Sequence, residues 1–376
     1  MNMTKAIIAI LLCAALFIQC RAAQTKSANP ATENENQSVQ AEGSTLLFPI
    51  VKDGKHGYID NTGKIVIKPQ LDEAGGFSEG LADVRIADDY TGKYGYIDKT
   101  GKYIISPQFN LALSFTDGLA AVRIDNDHTR KWGFIDKTGK YIIDLQFDLA
   151  WWFTQGLAAV QVSNGEKSEW GYIDKTGKFV ITPQFDFALM FSEDLSAVQI
   201  GDRETGKWGY IDKTGQYVIT PQFSKADNFH EGLASVRIGD DKTGKWGFTD
   251  KAGKYVIKPK FDDVWGGFSE GLAAVQTGGK ETGKWGYIDK TGKYVIKPQF
   301  DDADYFSEGL AAVRIGDRET GKWGFIDKTG NFIIDPQFDY AVTFDKGLAY
   351  VTIGNVVSGK HGYIDKTGKY VWEPSN

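Results

Sequence analysis

An aromatic residue or a histidine followed by glycine recurs along most of this chain at a nearly constant interval. The glycines of this pair are Gly57, Gly95, Gly133, Gly171, Gly209, Gly247, Gly286, Gly324 and Gly362. Successive members lie 38 residues apart seven times and 39 residues apart once. A fixed period of this size indicates a solenoid, a propeller or an array of small structural units. The sequence therefore predicts about nine copies of one unit.

The pattern inside one unit predicts a three-stranded antiparallel meander. Residues 233–238 alternate in polarity, which predicts a first strand. Residues 245–250, which contain the Trp-Gly pair, predict a second strand, and residues 255–259 predict a third that ends at a proline. The Asp-Lys-Ala-Gly-Lys sequence between them supplies an Asp cap and a glycine for a tight turn. With 44 Gly, 23 Phe, 17 Tyr and 10 Trp in the chain, we predict an all-β fold.

The recurring motifs are G-L-A-x-V, K-W-G-Y-I-D-K-T-G-K and V-I-x-P-Q-F, and they extend over residues 46–374. In these motifs the chain resembles the WG-repeat family of bacterial proteins, also called KWG repeats. The resemblance implies β-rich tandem modules, often in exported or surface proteins, and implies almost no specific biochemistry. The departures from the pattern are His56, Tyr94 and His361 for Trp, Asp194 for Gly, and Leu145 for Pro.

Two arrangements of the units satisfy this pattern, because a single meander cannot bury its aromatic face alone. In a closed β-propeller, the small Leu-Ala-Ala-Val strands crowd the axis and part of each return segment supplies a fourth strand. In an open array the end units have an exposed face, where histidine is better tolerated than tryptophan. Because His56 and His361 replace Trp in the first and last units, we predict an open array of about nine tandem three-stranded meanders, with the closed propeller as the alternative.

The first 45 residues predict export and a tether. Residues 1–20 have a signal-peptide pattern, with an unbroken apolar run over Ala6–Ile18 that is too short to span a bilayer comfortably. Cys20 resembles the acylated cysteine of bacterial lipoproteins, although Gln19 stands where a small residue is usual. Residues 21–45 are polar and predict a disordered spacer before a repeat domain at 46–376. We predict a membrane-anchored lipoprotein of the bacterial envelope, on the periplasmic side or the cell surface, with secretion after ordinary cleavage as the alternative.

Little in the sequence points to catalysis, a cofactor or a metal. The formal charge of −6 is spread evenly, without the basic patch that binding to nucleic acid requires. Both cysteines, Cys13 and Cys20, precede the repeats, and the four histidines lack zinc-ligand spacing. The aspartate that opens each Asp-Lys-Thr-Gly turn is repeated in every unit, so we interpret it as a turn cap. We therefore predict a protein that is not an enzyme.

Positions that differ between units are the best candidates for a site that selects a ligand. The tryptophan of the Trp-Gly pair is repeated and is interpreted as core between units. The residues before the Phe of each return segment vary, and among them Trp151, Trp152, Met190 and Trp265 are our candidate apolar recognition patch. We predict a non-enzymatic extracytoplasmic scaffold that binds a protein or a glycan. The alternatives are a structural envelope or adhesive spacer without a discrete ligand and, less favoured, a carbohydrate-active enzyme.

Overall fold

A computed structural model describes residues 46–375, except 88–91, 126–129, 203, 241, 280, 281 and 357. Every regular element in this part of the chain is a β-strand, which confirms the all-β prediction. No helix in the described part is long and apolar enough to cross a membrane. The predicted signal peptide, the tether and Cys20 lie outside the described residues.

The described strands form one three-stranded and eight four-stranded antiparallel sheets, here called blades 1 to 9. Blade 1 contains β1 (Leu47–Lys52), β2 (Lys55–Asp60) and β3 (Ile65–Leu71). Blade 2 contains β4 (Glu73–Ala74), β5 (Ala82–Ile86), β6 (Lys93–Ile97) and β7 (Tyr103–Phe109). Blade 3 contains β8 (Leu111–Ala112), β9 (Ala120–Asp125), β10 (Arg130–Ile135) and β11 (Tyr141–Phe147). Blade 4 contains β12 (Leu149–Ala150), β13 (Ala158–Ser163), β14 (Ser168–Ile173) and β15 (Phe179–Phe185). Blade 5 contains β16 (Phe187–Ala188), β17 (Ser196–Ile200), β18 (Lys207–Ile211) and β19 (Tyr217–Phe223).

The remaining blades repeat the same order of four strands. Blade 6 contains β20 (Lys225–His230), β21 (Leu233–Ile238), β22 (Lys245–Thr249) and β23 (Tyr255–Phe261). Blade 7 contains β24 (Asp263–Ser269), β25 (Leu272–Thr277), β26 (Lys284–Asp289) and β27 (Tyr294–Phe300). Blade 8 contains β28 (Asp302–Ala303), β29 (Leu310–Ile315), β30 (Lys322–Asp327) and β31 (Phe332–Phe338). Blade 9 contains β32 (Tyr340–Ala341), β33 (Ala349–Ile353), β34 (Lys360–Ile364) and β35 (Tyr370–Ser375). The three predicted strands of each unit are present, and the return segment adds a short first strand in blades 2 to 9.

The glycine of the Trp-Gly pair is required by a close approach between two strands. At Gly247 on β22, an added Cβ would lie 2.5 Å from the carbonyl oxygen of Ile257 and 2.6 Å from the nitrogen of Pro259 on β23. The register between these strands shifts on either side of Phe248, which marks a β-bulge. Only glycine fits this position, so the motif is explained by strand packing.

The repeated aspartate caps the hairpin turn before the last strand of each blade, as predicted. The Oδ1 atom of Asp98 accepts hydrogen bonds from the backbone N–H and the hydroxyl of Thr100, at 2.9 and 2.6 Å. A third bond, of 3.1 Å, comes from the N–H of Lys102. The side-chain bond from Thr100 is the largest contribution that lowers the pKa of Asp98. The same capping occurs at Asp60, Asp136, Asp174, Asp212, Asp250, Asp289, Asp327 and Asp365.

Hydrophobic cores lie between neighbouring blades. Between blades 3 and 4, for example, Phe134 and Ile143 pack against Phe153 and Val160, and the rings of Phe134 and Phe153 are 4.9 Å apart. Blades 6 and 7 also contact each other through their first strands, β20 and β24, which are longer than those of the other blades. Because the sheets are arranged in a ring, we identify this edge, where neighbouring blades meet, as the axial edge.

The ring is closed, so the predicted open array is wrong and the alternative, a closed β-propeller, is correct. Phe48 and Ile50 of blade 1 share a hydrophobic cluster with Leu348 and Tyr363 of blade 9. The rings of Phe48 and Tyr363 lie 5.6 Å apart. We call this contact between the first and last blades the seam.

Hydrogen bonds at the seam replace those of the first strand that blade 1 lacks among the described residues. In blade 2, the carbonyl groups of Asp83 and Arg85 accept hydrogen bonds from backbone N–H groups of the return segment. The equivalent carbonyls in blade 1 belong to Pro49 and Val51, as the strand registers show. The hydroxyl of Tyr363 donates to the Pro49 carbonyl at 2.9 Å. The hydroxyl of Ser375 donates to the Val51 carbonyl at 2.5 Å.

Larger side chains at the seam fill the volume that a first strand occupies elsewhere. Phe48, Tyr350 and Trp372 stand at register positions that hold alanine, alanine and isoleucine in other blades. All three belong to or pack against the seam cluster. Among the described residues no first strand lies between the terminal units, and their sequences differ accordingly, which explains why their departures were misinterpreted as exposed ends.

His361 follows from the lack of a first strand in blade 1 among the described residues, whereas His56 faces β4, the first strand of blade 2. In blade 4 the repeated tryptophan, Trp170, packs 5.4 Å from Phe187 on the first strand of blade 5. Blade 9 faces no such strand, and His361 instead stacks on Tyr350 at 5.4 Å within its own blade. His56 of blade 1 is buried enough that desolvation lowers its pKa, against the attraction of Glu73.

A repeated ion-pair latch joins consecutive blades at the end of the ring that carries the Asp-capped turns. The carboxylate of Glu193 accepts a hydrogen bond from the N–H of Gly232 in the next blade at 3.0 Å. It also lies 3.3 Å from the ammonium group of Lys251. The same latch is formed by Glu79, Glu231, Glu270 and Glu308. At the seam, Lys346 and Asn61 replace the glutamate and the lysine, so this latch cannot form there.

One blade junction keeps its charge balance by a paired substitution. Gln155 replaces the glutamate, and its side-chain oxygen still accepts a hydrogen bond from the next blade, from the N–H of Asp194 at 3.0 Å. Asp194 replaces the usual glycine, and its carboxylate pairs with Lys213 at 2.9 Å. The carboxylate that Gln155 lacks is thus supplied by Asp194, which accounts for that departure from the family pattern.

Candidate recognition surface at the axial edge

Each first strand presents two variable positions at the axial edge. In blade 4 these are Leu149 and Trp151, which flank the buried Ala150. Ala150 packs into the core with blade 3, whereas Trp151 packs towards blade 5. We call the residues that flank the central Ala or Val of each first strand the axial positions. They are Glu73 and Gly75, Leu111 and Leu113, Leu149 and Trp151, Phe187 and Leu189, Lys225 and Asp227, Asp263 and Trp265, Asp302 and Asp304, and Tyr340 and Val342.

Apolar axial positions are concentrated in blades 3, 4 and 5. Leu149 exposes 44% of its surface, and most of the other side chains in this group are half-buried. The flanking blades 2 and 6 carry glycine and charged residues at the same positions. We call this group the apolar arc, and it consists of Leu111, Leu113, Leu149, Trp151, Phe187 and Leu189.

An aromatic ladder supports the apolar arc from beneath. The rings of Trp151 and Trp170 are stacked, with centroids 5.9 Å apart and planes 14° apart. Trp170 contacts Phe187 at 5.4 Å, and Phe187 contacts Trp208 at 5.8 Å. The ladder crosses from blade 4 into blade 5, so it fixes the positions of the arc side chains.

Four indole nitrogens in this region are buried without a hydrogen-bond partner among the described residues. They belong to Trp132, Trp151, Trp170 and Trp208. A buried N–H group without an acceptor is uncommon and costs free energy. Blades 3 to 5 therefore combine an apolar surface with unsatisfied donors just below it.

The axial positions of blades 6, 7 and 8 are mostly acidic and contrast with the apolar arc. We call Asp227, Asp263, Asp302 and Asp304 the acidic arc. Burial raises the pKa of Asp304 to about 6, and it also raises the pKa of Asp302. Asp302 forms an ion pair of 3.3 Å with Arg314, whose guanidinium is nearly buried.

The candidate patch residues do not form one continuous surface. Trp152 and Met190 each expose only 3% and belong to the interior. Trp151 is half-buried and packs 5.9 Å from Trp152. Trp265 exposes 43% and lies in blade 7, among the acidic arc, where its indole N–H donates to Asp304 Oδ1 at 3.0 Å.

Sequence analysis missed most of the apolar arc. Leu149 and Phe187 lie three or more residues before the Phe of their return segments, outside the two positions that were compared between units. The signal that could have found them is the alternation around a small residue, as in Leu149-Ala150-Trp151, which indicates a short strand with one face inward. The repeated tryptophans were interpreted correctly as core, since Trp132, Trp170, Trp208, Trp285 and Trp323 are all buried.

The described part of the chain contains no group of three or more His, Cys, Asp or Glu side chains placed to hold a metal ion. Within the acidic arc, Asp227 accepts a hydrogen bond from the neutral Ser235 hydroxyl at 2.6 Å, and Asp302 forms its ion pair with Arg314.

Comparison with solved structures gives only distant matches. The chain is similar to prolyl oligopeptidase B from Galerina marginata, at 12% identity over 71% of this chain and 51% of that chain, with a TM-score of 0.44. It is also similar to an acylaminoacyl peptidase from Pyrococcus horikoshii, at 11% identity over 76% of this chain and 58% of that chain, with a TM-score of 0.40. The chain thus spans between half and three-fifths of the length of these peptidases. The β-propeller domain of the trilobed protease from Pyrococcus furiosus matches at 11% identity over 81% of this chain and 98% of that domain, with a TM-score of 0.40.

Comparison of sequences gives a family. No curated protein matches the chain. The WG containing repeat matches it eight times, at residues 57–90, 94–126, 132–165, 170–203, 208–242, 246–280, 285–318 and 323–356. These matches cover most of the repeat region and agree with the motifs that recur in every blade. The chain belongs to the family of proteins built from WG-containing repeats.

Proposed function

We propose that this protein is a non-enzymatic extracytoplasmic scaffold that binds a protein or a glycan through the apolar arc. The observation that carries the proposal is that both axial positions are large and apolar in each of three consecutive blades, whereas elsewhere this holds only for Tyr340 and Val342 of blade 9 among the axial positions named above. Partly exposed apolar residues that cluster on one part of a surface are typical of binding sites.

The fold itself does not require the apolar arc. Blade 2 has glycine at one axial position, and blade 6 has Lys225 and Asp227, yet both blades pack into the ring like the others. A requirement of ring closure would act on every blade in the same way. The apolar residues of blades 3 to 5 therefore have a role other than packing the blades into a ring.

We also propose that the scaffold is held at the bacterial envelope by a lipid on Cys20. The support is the apolar run over Ala6–Ile18, followed by Cys20 and a polar spacer before the first strand. Labelled palmitate should be incorporated into the wild-type protein in a bacterial host and should be absent from Cys20→Ala. A processed Cys20→Ala protein in the soluble periplasmic fraction would support anchoring, and equal labelling of both proteins would contradict it.

The binding proposal is tested by one substitution on the arc with a matched control. Leu149→Ser removes an apolar side chain that is 44% exposed on the arc, and Ile142→Ser removes one that is 40% exposed on the fourth strand of blade 3. Both proteins should keep the wild-type circular dichroism spectrum, because neither side chain is part of the core. Each is then screened against envelope fractions and a glycan array.

A partner whose binding is at least about tenfold weaker with Leu149→Ser, and unchanged with Ile142→Ser, would support the proposal. Equal binding by all three proteins would place recognition elsewhere. A folded protein that binds nothing would favour the alternative, a structural or adhesive spacer.

A further inference from the structure

We infer that the partner segment bound at the axial edge is a peptide in which apolar residues are followed by basic ones. This inference rests on the proposed function of the apolar arc and adds the chemistry of its ligand. The observation behind it is the change of character between blades 5 and 6, where the apolar arc ends and the acidic arc begins.

Two carboxylates of the acidic arc, those of Asp227 and Asp304, accept hydrogen bonds that do not neutralise their charge, whereas Asp302 is paired with Arg314. Asp304 accepts hydrogen bonds from the Trp265 indole and from the N–H of Tyr305, at 3.0 and 2.8 Å. Asp227 accepts one from the Ser235 hydroxyl. These donors are neutral, so they orient the carboxylates without removing their charge. A cationic group from a partner would be the complementary charge.

Trp265 adds an aromatic face to the same region. Its indole N–H is engaged by Asp304, which fixes the ring while 43% of the residue stays exposed. A lysine ammonium or arginine guanidinium is attracted both by an aromatic face and by a carboxylate beside it. Trp265 and Asp304 together therefore suit a basic side chain.

The order of the two arcs around the ring sets the order of residues in the ligand. Phe187 and Leu189 belong to blade 5, and Asp227 belongs to blade 6, which follows it directly. A chain that crosses from blade 5 to blade 6 passes from an apolar surface to a carboxylate. Its apolar side chains must therefore lie close in sequence to its basic ones.

The charge of the acidic arc also favours a basic peptide over the other classes of ligand. Anionic glycans and the headgroups of anionic lipids would meet the carboxylates of Asp227, Asp263 and Asp304 as like charges. Neutral sugars would bring no opposite charge to these carboxylates. A peptide with apolar and basic residues can pack on the apolar arc and pair with the carboxylates of the acidic arc at the same time.

The test uses a labelled synthetic peptide in which a run of leucine and phenylalanine is followed by a run of lysine. Two control peptides replace the lysines with glutamates or the apolar residues with serines. Affinity for the full chain is measured by fluorescence anisotropy at low and physiological salt. The protein variants are Asp227→Asn/Asp304→Asn, Leu149→Ser, and a control of equal charge, Asp144→Asn/Asp335→Asn, whose residues are exposed on the fourth strands of blades 3 and 8.

We expect the lysine peptide to bind wild-type protein, and both control peptides to bind at least about tenfold more weakly. Asp227→Asn/Asp304→Asn should weaken binding by about five- to tenfold and reduce its salt dependence, because two charges are removed while both side chains can still accept hydrogen bonds. Asp144→Asn/Asp335→Asn should bind like the wild type.

Equal binding of the lysine and glutamate peptides, or equal effects of the two Asp→Asn pairs, would overturn the inference about basic residues. In that case a loss of binding with Leu149→Ser would still support the apolar arc as the site. If no peptide and no envelope partner depended on Leu149, the proposed function itself would fail.

Discussion

The seam gives the sharpest test of how the ring is closed, through the hydroxyl group of Tyr363. In blade 9 this hydroxyl donates to the carbonyl of Pro49, beside which the described part of the chain has no first strand to supply a backbone N–H. The equivalent hydroxyl of Tyr210 in blade 5 donates to the carbonyl of Asp227 at 2.7 Å. Blades 3, 6 and 8 have phenylalanine at this position, so an internal ring junction tolerates loss of the hydroxyl.

Tyr363→Phe should therefore cost more than Tyr210→Phe. Removing a donor and leaving a buried carbonyl unsatisfied costs about 1–3 kcal/mol, whereas an ordinary hydrogen bond contributes about 0.5–1.5 kcal/mol. We expect Tyr363→Phe to lower the free energy of unfolding by the larger amount and Tyr210→Phe by the smaller. Urea unfolding followed by tryptophan fluorescence measures both.

Ser375→Ala supplies an independent check, because its hydroxyl donates to the Val51 carbonyl at the same seam. Combined with Tyr363→Phe, it should give a non-additive loss, since either substitution alone weakens the same contact. Equal losses for Tyr363→Phe and Tyr210→Phe, with simple additivity at Ser375, would refute this description of ring closure.

Three further variants test other parts of the structure. Lys346→Glu with Asn61→Lys should install the missing latch at the seam and stabilise the protein by about 0.5 kcal/mol, measured by urea unfolding, and the gain should shrink at high salt. Asp304 has a folded pKa of about 6, above its ordinary value of 3.8, so its charge costs stability progressively as pH rises from about 4 to about 6. Asp304→Asn should remove that dependence and raise the free energy of unfolding at pH 8 by about 1–3 kcal/mol, whereas a loss at pH 8 would contradict the assignment. Gly247→Ala would place its Cβ 2.5 Å from the Ile257 carbonyl oxygen and should cost at least about 2 kcal/mol in thermal unfolding, and a neutral result would show that the bulge can relax.

Features set by local sequence could be predicted, and features set by distant contacts could not. The Asp98 turn and the three long strands follow from residues close to each other in the chain, so their pattern is visible without the fold. The first strand, such as Leu149–Ala150, spans only two residues, so its alternation is a weak signal, and a fourth strand was expected only in the alternative, the closed propeller. Its existence depends on pairing with β13, which follows later in the chain.

Ring closure was mispredicted because two different causes can produce the same substitution in a terminal unit. His361 in place of tryptophan indicates a lost packing partner, but the lack of a described first strand in blade 1 removes that partner as effectively as an exposed end does. The enlarged residues Phe48, Tyr350 and Trp372 distinguish the two cases, because side chains grow where a gap must be filled. The candidate site was only partly predicted, since Trp151 is distinctive in sequence while the leucines of the arc are not.

The seam also bears on how a chain of nearly identical units finds one structure. Its two hydrogen bonds join residues that are 314 and 324 positions apart, so closure must wait until every intervening blade is in place. Internal blades present nearly interchangeable surfaces, on which one unit could be mistaken for another. The seam alone brings Phe48 against Tyr350 and Trp372, and no internal junction offers that fit. The last unit therefore fits only against the first unit. Closure of the ring at the final step of folding thus fixes the number of units that it contains.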